Sequence, residues 1–206
     1  MVEIRIHGRG GQGVVTASDM FAMAAFSEGH YAQAFPSFGS ERTGAPVVSY
    51  CRIMDDPIRT REPVLEPDIL IVQDPTLLAA VDVFAGLRPG GFAIVNTKRS
   101  VEELDLPDLQ PGEERATRII TVPASDIAKK HVGRPLPNAA LMGAVAAATG
   151  LTDLESVKEA IEHRFFGRIA EANVAAAQEA YDYVVAEGQA GSEYAMAKEE
   201  LHAETN

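Results

Sequence analysis

Apolar and polar positions along the chain fall into two rhythms. The run Val2–Ile6 predicts a strand, "HGRGGQG" a glycine loop over Gly8 to Gly13, and the positions Val14, Met20, Phe21, Ala24 and Ala25 the buried side of a helix through about Glu28. After a short extended piece and a loop rich in Gly, Ser and Pro, Val47 to Ile53 alternates like a strand. "PDILIVQDPT" is a continuous apolar run stopped by Asp74-Pro75, which predicts a buried strand followed by a helix to Leu87. "RPGG" marks a turn and "FAIVNT" a further buried strand. Residues 100 to 114 are polar, acidic and proline-containing, as in a surface excursion, and "TRIITVPA" is the last strand. From Ser125 the pattern is helical: a short helix near 125 to 131, the Ala-rich "NAALMGAVAAATG" closed by Gly150, and a long helix from about Asp153 to Glu187.

Alternating strands and helices predict an α/β fold, a three-layer arrangement of a mostly parallel sheet with helices on both faces, a Rossmann-like glycine loop and a helical C-terminal part. Residues 1 to 187 read as one domain. Residues 188 to 206 read as an acidic, Ala/Glu-rich tail, either a frayed terminus or an arm that docks on a partner.

Charge narrows the functional classes. With 18 Lys and Arg against 30 Asp and Glu, the 206-residue chain carries a net charge of -12 and no concentrated basic patch, which argues against nucleic acid as a partner. No apolar run approaches the ~18 residues of a membrane span, and the N-terminal residues show no signal-peptide pattern. Cys51 is the single cysteine, so the chain's own thiolates cannot assemble an iron-sulfur cluster or a structural zinc site. The expected setting is the reducing cytoplasm.

Gly8, Gly10 and Gly13 satisfy G-x-G-x-x-G between a strand and a helix, where missing Cβ atoms let an anion approach backbone N–H groups at the positive end of the helix dipole. The dinucleotide fingerprint also needs an acidic residue about 20 positions on, to hold a ribose hydroxyl. No Asp or Glu lies between Tyr31 and Gly39, which disfavours ordinary NAD binding. Such a loop also serves plain strand-on-helix packing, or contact with another subunit. Arg9 and Gln12 at its tip favour a polar ligand.

The stretches "HGRGGQGVVTAS", "QAFPSFGSERTGAPVVSYCRI", "EPDILIVQDPTLL", "GGFAIVNT" and "PLPNAALMGAVAAATG" followed by "ESVKEAIEHRF" resemble, in order and over nearly the whole chain, the gamma subunits of the 2-oxoacid:ferredoxin oxidoreductases, the pyruvate synthase group. "GRGGQG" is closer to the pyruvate and branched-chain members than to the 2-oxoglutarate ones. The resemblance implies a non-catalytic subunit of a complex of anaerobic metabolism. There a 2-oxoacid is decarboxylated on thiamine diphosphate with Mg2+, electrons pass through [4Fe-4S] clusters to ferredoxin, and the acyl group goes to coenzyme A. It further implies that thiamine and clusters sit on alpha, beta and delta partner chains, while this chain helps bind coenzyme A and packs against the thiamine-bearing subunits.

Coenzyme A, with its several phosphates, calls for cations and N–H donors. The candidate ligands are Gly8, Arg9, Gly10, Gly11, Gln12 and Gly13, with Arg42 as the next cation, although Arg42 equally suits a salt bridge to Glu41. Asn96 with Thr97 at a strand end, and Asn138 at a helix start, are polar groups where such folds collect ligands; for Asn138 helix capping is the preferred reading. Asp74 reads as a helix cap, His7 as a core or supporting residue, Cys51 as inert, and Lys98-Arg99 as a solvated turn. Phe35, Phe38 and Tyr50 suit either an adenine platform or an interface or core. No pair has metal-ligand spacing. Two rivals remain open: a free-standing Rossmann-type oxidoreductase binding NAD(P) or FAD, and a purely structural subunit.

Overall fold

The computed structural model describes residues 1 to 37, 43 to 104, 106 and 117 to 187. Six strands form one mixed sheet: β1 (Val2–Arg9), β2 (Tyr31–Pro36), β3 (Pro46–Met54), β4 (Ile69–Val72), β5 (Phe92–Asn96) and β6 (Arg118–Val122), in the order β2-β3-β1-β4-β5-β6. Only β3 runs against the others. It pairs antiparallel with both β1 and β2, while β1, β4, β5 and β6 form a parallel run. The first strand is longer than the pattern predicts, so Gly8 and Arg9 lie inside its ladder, opposite Val47 and Pro46 of β3.

Five α-helices follow: α1 (Val14–Ser27), α2 (Ala124–Val132), α3 (Asn138–Thr149), α4 (Leu154–Arg164) and α5 (Arg168–Ala186). Their buried residues join one large core with Ile4, Ile6, Ile69, Ile71, Phe92, Ile94, Ile120 and Val122, the side chains of a single sheet face. The opposite face, with Leu70, Val72, Ala93 and Val95, is covered by Leu77, Val83, Phe84 and Leu104, which belong to 3-10 turns and loops. Handedness explains the division. The crossover from β1 to β2 moves one way along the sheet and those from β4 to β5 to β6 the other, so right-handed connections fall on opposite faces. The helices after β6 then return to the first face.

Two predicted helices are corrected. The helix expected from Pro75 to Leu87 is a 3-10 turn, Pro75–Ala79, and irregular chain follows it. Two of the freed carbonyls are met from a distance: buried Arg5 donates through Nη2 to Val83 O and Ala85 O, while its Nη1 holds Val64 O and Leu65 O of the chain before β4. The long helix from 153 to 187 is broken into α4 and α5. Phe165 is extended there and Gly167 has φ 55 and ψ −138, a conformation that only glycine adopts without strain. The predicted tail from Gly188, and residues 105 and 107 to 114 of the surface excursion, lie outside the described residues.

Inside the helical layer, α3 meets α5 backbone to backbone. A Cβ on Gly143 would stand 2.0 Å from Ala177 O. No residue that carries a Cβ fits such a crossing unless the backbones move apart.

Candidate functional site

Between β1 and β4 the chain's crossovers change direction, and the crevice at the carboxyl ends of these strands is where open α/β sheets gather ligands. The glycine loop closes this crevice. Gly10 donates to Ala45 O and accepts from Gly44 N, which ties the loop to the start of β3; Gln12 N closes a tight turn on Arg9 O. Gly11 has φ 94 and open space around its missing Cβ, and Gly13 has φ 74. The N-termini of α1 and α3 both lack a side-chain cap, so the first N–H groups of two helices are left for other partners. The two ends meet where Asn138 Nδ2 donates to Gly13 O at 3.3 Å.

The glycines do more than bare the backbone. A Cβ on Gly8 would stand 2.6 Å from Val14 Cγ2, 3.1 Å from Gln12 Oε1 and 3.2 Å from Gln73 Oε1, and one on Gly13 would stand 2.3 Å from Asn138 Nδ2. The space they leave is filled by the chain's own amides.

At the rim, Arg9 is held by polar groups of the protein itself. Its Nε lies 3.3 Å from Asp74 Oδ2, Nη2 donates to Thr76 Oγ1 at 2.7 Å and Nη1 to Gly44 O at 3.0 Å. Gln12 accepts from Arg9 N at 2.8 Å and donates to Asp74 Oδ2 at 2.7 Å. Asp74 also caps the following turn, with Oδ1 accepting from Thr76 N. Partial burial works to raise the Asp74 carboxyl, but hydrogen bonds from Thr76 and Gln12 and the nearby Arg9 charge outweigh it and hold it below the usual carboxylate range. The sequence shows a cation at position 9. It does not show a carboxylate folded against it from 65 residues away.

The other predicted residues divide. Asn96 reaches the floor of the crevice, yet its amide is fully engaged: Nδ2 donates to Gln73 O and Ser125 Oγ, and Oδ1 accepts from Ser125 N. It fastens β5 to β4 and to the start of α2. Asn138 is the first helical residue, not the cap, because Pro137 holds the cap position; its side chain turns to Gly13 instead. Arg42 and Phe38 lie outside the described residues. Phe35 and Tyr50 pack with Val64, with ring centroids 5.2 Å apart, and Lys98 pairs with Asp126. Burial pushes the Cys51 thiol up, away from reactivity. Burial, helped by the Arg5 charge, pushes His7 down to about 4, so its imidazole is neutral at ordinary pH. Among the described residues no group of three His, Cys, Asp or Glu stands ready for a metal ion, and no helix is long and apolar enough to cross a membrane.

Gln73 was not among the sequence candidates. It follows β4 directly, donates its backbone N–H to His7 O, and is 1% exposed. Its one signal in the sequence is a carboxamide at the end of the apolar run "ILIV".

In sequence and overall fold the chain matches known proteins. Residues 3–183 match the model of the pyruvate ferredoxin/flavodoxin oxidoreductase family. The chain belongs to this family, as a gamma-type subunit. It is 51% identical over 185 residues to the pyruvate/ketoisovalerate oxidoreductases common subunit gamma of Thermococcus kodakarensis, covering 90% of this chain and 98% of that one. The pyruvate synthase subunit PorC of Methanothermobacter thermautotrophicus is 44% identical over 184 residues, 89% of this chain and 96% of the relative. Among solved structures, the pyruvate oxidoreductase subunit PORC of Thermotoga maritima superposes with a TM-score of 0.74 at 38% identity, over 88% of this gamma-type chain and 95% of that one.

Proposed function

We propose that this chain helps seat coenzyme A in a pyruvate-type 2-oxoacid:ferredoxin oxidoreductase and packs against the thiamine-bearing chains, so that the thiol meets the acyl group formed there. Alpha, beta and delta companions would carry thiamine diphosphate, Mg2+ and the [4Fe-4S] clusters, with ferredoxin taking the electrons. One cysteine, buried in β3, does not fit a cluster site, which supports that division. A reducing cytoplasm is part of the same reading.

The carrying observation is the place of the loop: Gly8 to Gly13 lies at the switch point of the sheet, at the uncapped N-terminus of α1, with Arg9 on its rim. Holding thiol and acyl group together shortens the entropic part of the barrier, to a limit of roughly 7 to 11 kcal/mol in well-oriented systems. The test uses the assembled complex. Arg9→Ala, and separately Arg42→Ala, are made and the KM for coenzyme A is measured beside assembly by native mass spectrometry. At least one variant is expected to raise KM about tenfold without loss of assembly, the effect of one charge-assisted hydrogen bond of about 1.5 kcal/mol.

A purely structural role is the second reading, favoured by the Arg9 contacts to Asp74, Thr76 and Gly44. Under it both variants leave KM unchanged.

A further inference from the structure

We infer that the floor of the crevice is a receptor for a neutral amide, and that Gln73 with Asn138 reads the peptide-like amides of the pantetheine arm, not the phosphates; this rests on the coenzyme A reading above. Gln73 is 1% exposed and Asn138 9% exposed. Among the described residues neither Gln73 Oε1 nor Nε2 has a hydrogen-bond partner, and neither does Asn138 Oδ1. Buried carboxamides are rarely left open at both ends, since each unmet group carries a desolvation cost.

The chemistry of the open atoms selects the ligand. They offer one NH2 donor and two carbonyl acceptors, with no charge. A phosphate presents only acceptors and would face two carbonyl oxygens. A secondary amide presents one C=O and one N–H and answers both kinds of partner. Pantetheine carries two such groups in line between its thiol and the nucleotide. The rim with Arg9 then serves the charged end, and the floor the neutral arm.

Access runs past Gln12. Its Oε1 and that of Gln73 flank one point, 3.1 and 3.2 Å from the position of a Cβ on Gly8, so Gln12 lies over the glycine beside the open amide. Among the described residues two hydrogen bonds hold its side chain there, from Arg9 N and to Asp74 Oδ2, and both can be exchanged for water or ligand. Gln12 acts as a latch on Asp74.

The test uses three thiols with the assembled oxidoreductase: coenzyme A, pantetheine, which has the amides and no phosphate, and 2-mercaptoethanol, which has neither. Gln73→Met keeps the shape and removes the polar atoms. It is expected to raise KM for coenzyme A and pantetheine by the same factor, about five- to thirty-fold, and to leave 2-mercaptoethanol unchanged. Gln12→Ala, on the half-exposed loop, keeps the test alive if the first variant fails to assemble. It frees the latch and should lower the pantetheine KM several-fold. Unchanged pantetheine KM in the variants, with Arg9→Ala still raising that of coenzyme A, overturns the amide receptor and leaves the proposed function standing. No change in any variant overturns both. A crystal of the pantetheine-soaked complex in which Gln73 bonds only to an internal water also overturns the inference.

Discussion

The two ends of β1 treat buried polarity in opposite ways. At the amino end, Glu3 is buried against Arg52, which donates through Nε to Glu3 Oε1 at 2.7 Å, while Arg88 reaches both Glu3 and Asp68 and Arg52 lies over the Phe35 ring. Arg5 Nε and Arg52 Nη1 go unmet among the described residues, yet each charge is answered by carboxylate, carbonyl or ring. At the carboxyl end the ion pair among the described residues, Arg9 with Asp74, lies at the half-exposed rim. Neutral amides of Gln73 and Asn138 are left open under the glycine loop. Compensated charge serves the fold. Uncompensated neutral polarity stabilises nothing as it stands, and such a place is where a binding partner gains most.

The sharpest way to break this contrast is to remove a partner at the amino end. Glu3→Ala leaves Arg52 buried without its carboxylate and should cost about 3 to 5 kcal/mol in urea unfolding, with no direct effect on thiol binding. Acid acts next, through His7. Above pH 6.5 the imidazole is neutral folded and unfolded; below it the unfolded chain takes a proton that the folded chain refuses until about pH 4. Stability is therefore lost as pH falls through this window, by up to about 3 kcal/mol. His7→Gln should flatten that part of the unfolding profile relative to the parent. Gly13→Ala places a Cβ against Asn138 in a left-handed backbone and should cost about 2 kcal/mol by thermal unfolding. Gln73→Met has the smallest effect and the opposite sign: deleting two unmet polar atoms should leave stability unchanged or raise it by about 1 kcal/mol while thiol binding weakens. A loss larger than that would place Gln73 with the structural amino end.

Much of the fold was legible because β4 and β5 are short runs buried on both faces and announce themselves as apolar stretches. The glycine loop was legible because its glycines sit between a strand and a helix. The order of strands was not, since nothing local in Val47 to Ile53 says that β3 inserts between β1 and β2 and runs the other way. Nor was the irregular chain after the turn at Pro75, where Val83 O and Ala85 O accept from Arg5 of another strand. Arg9 was visible as a cation but not as one already held by Asp74, and Gln73 was hidden at the end of an apolar run. Contacts between residues far apart in sequence decide all of these.

The backbone crossing at Gly143 and Ala177 has a bearing on how the crevice works. Two helices in backbone contact leave no room for a side chain between them, so Asn138, at the head of one of them, stands on a closely packed wall. The opposite wall is a bend of four glycines tied by backbone bonds to the start of β3 and by the Asn138 side chain to α3. A guest thus meets one face set by helix packing and another set by a short turn, with the Asn138 hydrogen bond spanning the two.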